Sequence, residues 1–264
     1  TPSGRHAIMV RGQKRKQPGE NDPVWQARVD LAATYRLINN QSGNEGICNH
    51  LTAMVPGTTD RFLCIAYGMA WSEVTASNLL LLDAEGNVLE GEGEVDGTAF
   101  FIHKSIHMAD PVKYMCVLHT HQEWATTLCC LKDMELKMCH QNCLRFHNDI
   151  AYDTVYNGLV LDDSEGTRIA KAMEGKRVLF HQCHGIIMCG GTIHEAWDDL
   201  FYLERACRQQ VMAMQTGKEL ATISDDIAAA FKADCENGKE GWAKKHFEAM
   251  KRELMKNDDA DFCS

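Results

Sequence analysis

The sequence predicts an α/β fold in which short apolar strands alternate with amphipathic helices. Two observations support this class. Apolar runs of strand length recur along the chain, the clearest at residues 114–118. Several of these runs lead directly into segments whose apolar residues recur at helical spacing, as at 123–131. A chain of 264 residues that is 45% apolar and 24% charged can bury one large core.

The first half of the chain is predicted to contain two helices and several short strands. A helix is expected at residues 25–38, followed by a turn rich in Asn, Ser and Gly at 40–46. A second helix is expected at 100–108, where Asp110 and Pro111 end it. The predicted strands are 61–66, 78–82, 87–89 and 114–118, with a hairpin turn at 84–87.

The second half repeats the alternation and then becomes helical. Strands are predicted at 159–161, 177–180 and 186–189, and a helix at 164–173. A long helix should run from 193 to 216, because Thr192 and Glu195 have the spacing of a capping box and Gly217 suits a C-terminal stop. Residues 223–256 are predicted to form two amphipathic helices separated at Gly238 and Gly241. The expected organisation is a flexible basic arm at 1–22, a core domain at 23–222 and a C-terminal helical extension at 223–264.

Composition excludes several classes of partner. The formal net charge of −10 argues against nucleic acid, whose backbone requires clustered Lys and Arg. One basic cluster, residues 11–16, suggests either a docking tail or, as we prefer, a solvated arm. We expect no membrane span and a cytoplasmic location, because the chain has no secretory segment and no apolar run near 18 residues. The twelve cysteines show no disulfide-framework spacing and are expected to be reduced.

The histidines suggest a metal site. His119 and His121 follow an apolar strand, and residues two apart in a strand point to the same face. His184 lies at another predicted strand junction, beside Gly185, which allows close backbone approach. Three imidazoles with a vacant coordination position suit one divalent ion, with zinc expected first and iron or manganese as alternatives. The alternative interpretation is a pair of half-exposed histidines at a strand end with no ligand.

Several motifs in order resemble the class II aldolase/adducin family, over roughly residues 25–220. They are the segment 97–111, the strand that ends in His119-Thr120-His121, and the segment 184–190. The resemblance is supported by shorter matches at 49–52, 67–69, 72–77 and 202–206. The helix around His103 and His107 and the segment 72–77 are closer to the adducin branch.

The resemblance implies a three-layer α/β/α sandwich around a mostly antiparallel sheet, assembled as a homotetramer. It also implies a divalent ion held by His119, His121 and His184, which polarises a carbonyl or enolate next to the C–C bond that is made or broken. The sugar-phosphate aldolases of the family hold phosphate with a Gly-Asn-x-Ser turn, whereas this chain has Cys48-Asn49-His50-Leu51-Thr52. Their acid/base Glu falls near residues 97–100, where this chain has no carboxylate. We therefore expect an unphosphorylated substrate.

Other residues are candidates for substrate binding and proton transfer. Glu123 could act as base or fourth ligand, although acidic residues also favour the first turn of a helix. Tyr152 is the predicted phenolic proton donor, with Tyr156 also considered, although tyrosines in a sheet are more often packing residues. Asn49, His103 and Gln182 are predicted to bind substrate, with a core or capping role as the alternative for His103. The substrate-specificity loop is expected within residues 134–148.

Three functions fit these expectations. The first is a metal-dependent lyase performing retro-aldol cleavage or decarboxylation on a small carbonyl or carboxylate compound. The second is a mononuclear iron oxygenase on the same fold. The third is a non-enzymatic, adducin-like interaction domain.

Overall fold

The computed structural model describes residues 22–257 and 259–264. The predicted arm at 1–22 lies outside the described residues except for Asp22. Short 3₁₀ turns lie at Trp71–Glu73, Gln141–Phe146 and Ala260–Cys263. The helices are α1 Pro23–Asn39, α2 Gly97–Ala109, α3 Glu123–Cys129, α4 Asp163–Ala172, α5 Ile193–Met214 and α6 Asp225–Lys256. The strands are β1 His50–Met54, β2 Arg61–Cys64, β3 Leu80–Asp83, β4 Val88–Glu90, β5 Cys116–Thr120, β6 Ile150–Asp153, β7 Val178–His181 and β8 Gly185–Gly190.

The strands form one eight-stranded sheet in the order β4-β3-β2-β1-β5-β8-β7-β6. All neighbours are antiparallel except β6 and β7, which are parallel. β5 lies near the centre and pairs with β1 on one side and β8 on the other. The predicted, mostly antiparallel α/β sheet is confirmed.

Helices cover both faces of the sheet, which gives the predicted three layers. Alternate residues of β5 point to opposite faces, so that Leu118 packs in the core shared with α1, α3 and α5, while Val117 packs toward α2 and α4. α6 joins the first of these layers, because Phe247 and Leu254 belong to the same core as α1 and α5. α6 therefore packs onto the same core as α1 and α5.

Local sequence explains where several helices begin. Asp22 caps α1 by accepting from the amide of Val24 at 3.0 Å, and Pro23 occupies the first turn, where its missing N–H costs nothing. The Thr192 hydroxyl accepts from the Glu195 amide at 3.2 Å, which confirms Thr192 as the N-cap of α5. These caps satisfy amides that have no partner within the helix.

Two expectations about secondary structure are wrong. The chain from 225 to 256 is one continuous helix of 32 residues, because packing of Ala243, Phe247 and Leu254 outweighs the weak helix preference of Gly238 and Gly241. Residues 159–161 are not a strand, and the strand of that region is β6 at Ile150–Asp153. The apolar residues at 159–161 predicted a buried strand, but Leu159 and Leu161 are exposed in the structure. No helix among residues 22–257 and 259–264 has the length and apolar character to cross a membrane.

Candidate metal centre

Three histidines converge at one end of the central strands. His119 and His121 lie at the end of β5, and His184 lies in the turn between β7 and β8. Antiparallel pairing places Thr120 opposite Ile186, so the end of β5 is beside the start of β8. One ring nitrogen from each of the three histidines lies within 4.8 Å of the others. The predicted cluster is therefore assembled by the fold.

The second nitrogen of each imidazole has its own partner. His119 Nδ1 donates to the carbonyl of Ile186 at 2.9 Å. His121 Nδ1 contacts the carboxylate of Glu45. His184 Nδ1 lies 3.2 Å from His181 Nδ1. In all three rings Nε2 is left for a ligand, and His121 Nε2 is buried without a hydrogen-bond partner.

His181 fixes the orientation of His184. The Nε2 of His181 donates to the carbonyl of Val155 at 3.0 Å, and since a carbonyl only accepts, this nitrogen carries the proton. In neutral His181 the Nδ1 is then an acceptor, so the Nδ1–H of His184 donates to it. Burial lowers the pKa of His181, which keeps it neutral at physiological pH. The lone pair of His184 Nε2 therefore faces away from His181.

Burial also keeps His119 and His184 unprotonated. It lowers the pKa of His184 to about 4, with smaller contributions from His181 and His121. It lowers the pKa of His119 well below its ordinary value, and His50, His184 and His121 act in the same direction. Metal ions bind the neutral imidazole. The three-nitrogen donor set and the orphaned His121 Nε2 therefore fit one divalent ion.

Gly185 is required by the close approach of the backbone to His121. A Cβ on Gly185 would lie 2.5 Å from Cδ2 of His121 and 2.8 Å from the carbonyl oxygen of Thr120. Real Cβ atoms do not come so close, so any larger residue would displace the imidazole. The sequence analysis noted this glycine for close approach, and the structure shows that His121 is the group approached.

Asn49 lies against the cluster. Its Oδ1 accepts from the amides of Glu45 at 2.7 Å and His121 at 3.3 Å. These two bonds fix the orientation of the carboxamide, and its Nδ2 is then a buried donor with no partner. Asn49 also lines a pocket together with His50 and the apolar side chains Phe62, Met69 and Phe100. Its expected contact with substrate fits this position but stays a prediction.

The other predicted site residues lie in varied places. Gln182 is half-buried, and its Nε2 donates to the Leu131 carbonyl at 2.8 Å. His103 is fully buried and lies between His50 and Thr52, which prevents direct contact with solvent. Glu123 is exposed in the first turn of α3. The roles predicted for these residues stay predictions.

The tyrosine whose ring contacts the cluster is Tyr156. Its ring centroid lies 6.0 Å from that of His184 and 5.9 Å from that of His181. Tyr152 packs on Phe180 and its hydroxyl accepts from the amide of Leu136 at 3.0 Å. Both tyrosines are candidates from the sequence. Tyr152 lies within β6, whereas Tyr156 lies in the turn after it, and this turn places the Tyr156 ring against the cluster.

The sequence analysis missed three residues beside the cluster. Glu45 contacts His121 from a loop 76 residues away in sequence, so no local pattern could find it. His181 lies three residues before His184 across a turn, a spacing that could have indicated a contact. His50 lies opposite His119 in the pairing of β1 with β5, and the ring centroids are 4.9 Å apart.

Comparison with known proteins agrees with the fold. The chain belongs to the family described as "Class II Aldolase and Adducin N-terminal domain", which it matches over residues 29–211. It is 36% identical over 209 residues to a Caulobacter vibrioides protein named "Putative aldolase class 2 protein", covering 79% of this chain and 80% of that protein. It is 28% identical over 193 residues to human beta-adducin, covering 72% of this chain but only 26% of the adducin.

Two solved structures share the fold over nearly all of this chain. An aldolase II superfamily protein from Pseudomonas syringae matches with a TM-score of 0.85 and 30% identity, covering 92% of this chain and 97% of that one. L-fuculose 1-phosphate aldolase from Glaciozyma antarctica matches with a TM-score of 0.78 and 25% identity, covering 91% and 96%. The predicted family is thereby confirmed.

Proposed function

We propose that this protein is a divalent-metal-dependent lyase that cleaves a C–C bond in a small, unphosphorylated carbonyl or carboxylate compound, by retro-aldol cleavage or decarboxylation. The observation that carries the proposal is the convergence of one ring nitrogen from each of three histidines, whose Nδ1 atoms all have partners. A bound ion would polarise a substrate oxygen and stabilise negative charge that develops on it. Class II aldolase relatives support the reaction type.

The chain's own groups suit an unphosphorylated substrate. Asn49 Nδ2 can donate to a substrate oxygen, since it is buried and unpartnered. Among the described residues that line the adjoining pocket there is no lysine or arginine, so nothing there offsets the charge of a phosphate. Glu123 remains the candidate base, and Tyr156 joins Tyr152 as a candidate phenolic donor. We expect a homotetramer, as the family resemblance implies, and a cytoplasmic location.

The first test is metal content, measured by elemental mass spectrometry on protein purified without added metal. We expect about one zinc, iron or manganese ion per chain, and its loss in His119→Ala and His184→Ala while circular dichroism remains unchanged. His140→Ala is the matched control, because His140 is exposed and lies outside the cluster. Iron in place of zinc would direct the search toward oxygenase assays. A wild-type protein that takes up no metal would overturn the proposal.

Turnover is the second test. The metal-loaded protein is incubated with a panel of hydroxyketones, keto acids and hydroxy acids, and aldehyde and CO₂ release are measured. A product formed by wild type but not by His119→Ala would support the lyase. The similarity to beta-adducin favours an interaction domain as the second candidate. That candidate predicts neither metal uptake nor turnover.

A further inference from the structure

A buried chain of hydrogen bonds leads from the interior to His50, beside the metal centre. It begins at the carbonyl of Tyr114, which lies 2.6 Å from Nδ1 of His107. Nε2 of His107 is 2.7 Å from Oγ1 of Thr52, and this hydroxyl is 2.5 Å from Nδ1 of His103. Nε2 of His103 is 2.7 Å from Nδ1 of His50. The four side chains that form this hydrogen-bond chain are at most 6% exposed.

The direction of every bond follows from the carbonyl. Because the Tyr114 oxygen can only accept, His107 carries its proton on Nδ1, and its Nε2 must accept from the hydroxyl of Thr52. The Thr52 oxygen then accepts from Nδ1–H of His103, whose Nε2 accepts from Nδ1–H of His50. Each imidazole is neutral in this arrangement. His50 is thereby left with an unprotonated Nε2.

His50, which carries this unprotonated Nε2, lines a pocket beside the histidine cluster. His50 lines the same pocket as Asn49, and its ring lies against that of His119. Among the hydrogen bonds of residues 22–257 and 259–264, none is made by His50 Nε2. Two groups of the pocket have no hydrogen-bond partner among the described residues: the acceptor His50 Nε2 and the donor Asn49 Nδ2. A hydroxyl group can satisfy both, whereas a carboxylate or sulfate offers only acceptors and would face the imidazole lone pair.

We propose that His50 accepts a hydrogen bond from a substrate hydroxyl, and that Thr52, His103 and His107 are positioning residues that hold His50 in the tautomer this requires. The substrate class is then a carbonyl or carboxylate compound with an uncharged hydroxyl group beside the part that the metal would bind. This inference rests on the proposed function for the identity of the site. The tautomer of His50 does not depend on turnover, so the two can fail separately.

The first measurement is the tautomer itself in metal-free protein. Long-range ¹H–¹⁵N correlation spectra of protein labelled with ¹⁵N-histidine distinguish the protonated from the unprotonated ring nitrogen. His50→Gln identifies the His50 signals by their disappearance. We expect a protonated Nδ1 and an unprotonated Nε2 in the wild type. A protonated Nε2 on His50 would overturn the proposal, whatever the metal content.

Thr52→Val tests whether the chain holds this tautomer, with Thr52→Ser as the matched control. Valine keeps the shape but leaves Nδ1 of His103 without an acceptor, so the proton of His103 can move to Nε2. His50 must then become an acceptor at Nδ1 and carry its proton on Nε2. We expect this second tautomer in Thr52→Val and the wild-type tautomer in Thr52→Ser. An unchanged His50 in a folded Thr52→Val protein would remove the positioning role.

The hydroxyl preference is tested with glycolate, acetate and inorganic sulfate as probes of the zinc-loaded protein. We expect glycolate, but not acetate or sulfate, to shift the Nε2 resonance of His50. Thr52→Val should weaken glycolate binding about tenfold, the equivalent of one hydrogen bond, and leave acetate unchanged. Thr52→Ser should bind glycolate as the wild type does. Saturation by sulfate, or no response to glycolate, would overturn the hydroxyl-binding role. If His50 has the expected tautomer but the protein takes up no metal, the result would instead count against the proposed lyase activity.

Discussion

At the scale of single residues, the proposed metal centre depends on neighbours as much as on the three histidines. Each Nδ1 has a partner that orients its ring: the Ile186 carbonyl, the Glu45 carboxylate and His181. Such partners commonly contribute a factor of about 10 to 100 to metal affinity. Gly185 contributes because it lacks a Cβ, and only a residue without a Cβ leaves room for the His121 ring.

Gly185→Ala is predicted to weaken metal binding, and its Cβ would also lie 2.8 Å from the carbonyl oxygen of Thr120 in β5. The new Cβ would lie 2.5 Å from Cδ2 of His121, so the ring must move out of the cluster. We expect zinc affinity to fall roughly 10- to 100-fold, as for loss of an orienting contact. Competition with a chromogenic chelator measures it.

The control for this change is Gly191→Ala. A Cβ there would lie 3.5 Å from Oε2 of Glu195, which is ordinary contact. Its zinc affinity should equal that of the wild type. Equal affinities in Gly185→Ala and Gly191→Ala would show that His121 is not a ligand.

At the scale of elements, tertiary packing decided what local preference left open. β1 contains His50 and Thr52, and was not predicted as a strand because polar and apolar residues mix in it. Pairing with β2 and β5 makes it a buried central strand. α6 continues through two glycines because Ala243 and Phe247, beyond them, pack into the core.

Gly241→Ala is predicted to stabilise the protein by about 0.5–1 kcal/mol, the helix-interior difference between the two residues. A Cβ at this position meets nothing within 4 Å, so no steric cost offsets the gain. Urea denaturation monitored by circular dichroism measures the free energy of unfolding. If the chain were two helices broken at Gly241, no such gain would be seen.

Gly217→Ala provides the opposite case. Gly217 has φ of +70° just beyond α5, and a residue with a Cβ is strained there. We expect destabilisation of about 1 kcal/mol. The change in the free energy of unfolding should therefore be positive for Gly241→Ala and negative for Gly217→Ala.

At the scale of the whole molecule, a group of buried neutral histidines makes stability depend on pH. Burial lowers the pKa of His107 to about 4 and that of His50 to about 3, with a small opposing effect of the Tyr114 carbonyl on His107. In the unfolded chain these groups titrate near their ordinary value of about 6.5. The unfolded state therefore binds more protons between these values, and stability falls as pH falls.

His107→Gln is predicted to flatten this dependence. Glutamine can donate to the Tyr114 carbonyl and accept from Thr52, but it does not titrate. His107 contributes stability that is fully present above pH 6.5 and is lost as pH falls toward about 4. The variant should lose up to about 1.4 kcal/mol less per pH unit across this window.

Urea unfolding of metal-free protein from pH 8 to pH 4.5 measures the effect. Above pH 7.5 the difference in unfolding free energy between variant and wild type should be constant, which is the internal control. Parallel pH curves below 6.5 would show that His107 is not buried in its neutral form.

The sequence by itself determined the α/β class, the family and the three histidines of the proposed site. These follow from local information: strand-length apolar runs, helical periodicity, and the i, i+2 geometry that places His119 and His121 on one face. Only the tertiary structure revealed the contacts of Glu45 and His181 with the cluster. The same is true of the hydrogen-bond chain that leads from Tyr114 to His50. Each depends on which strands are neighbours and which helix covers them. Strand order and helix packing bring together residues such as Thr52 and His107, which are 55 apart in sequence, and no periodicity within a segment records such a contact.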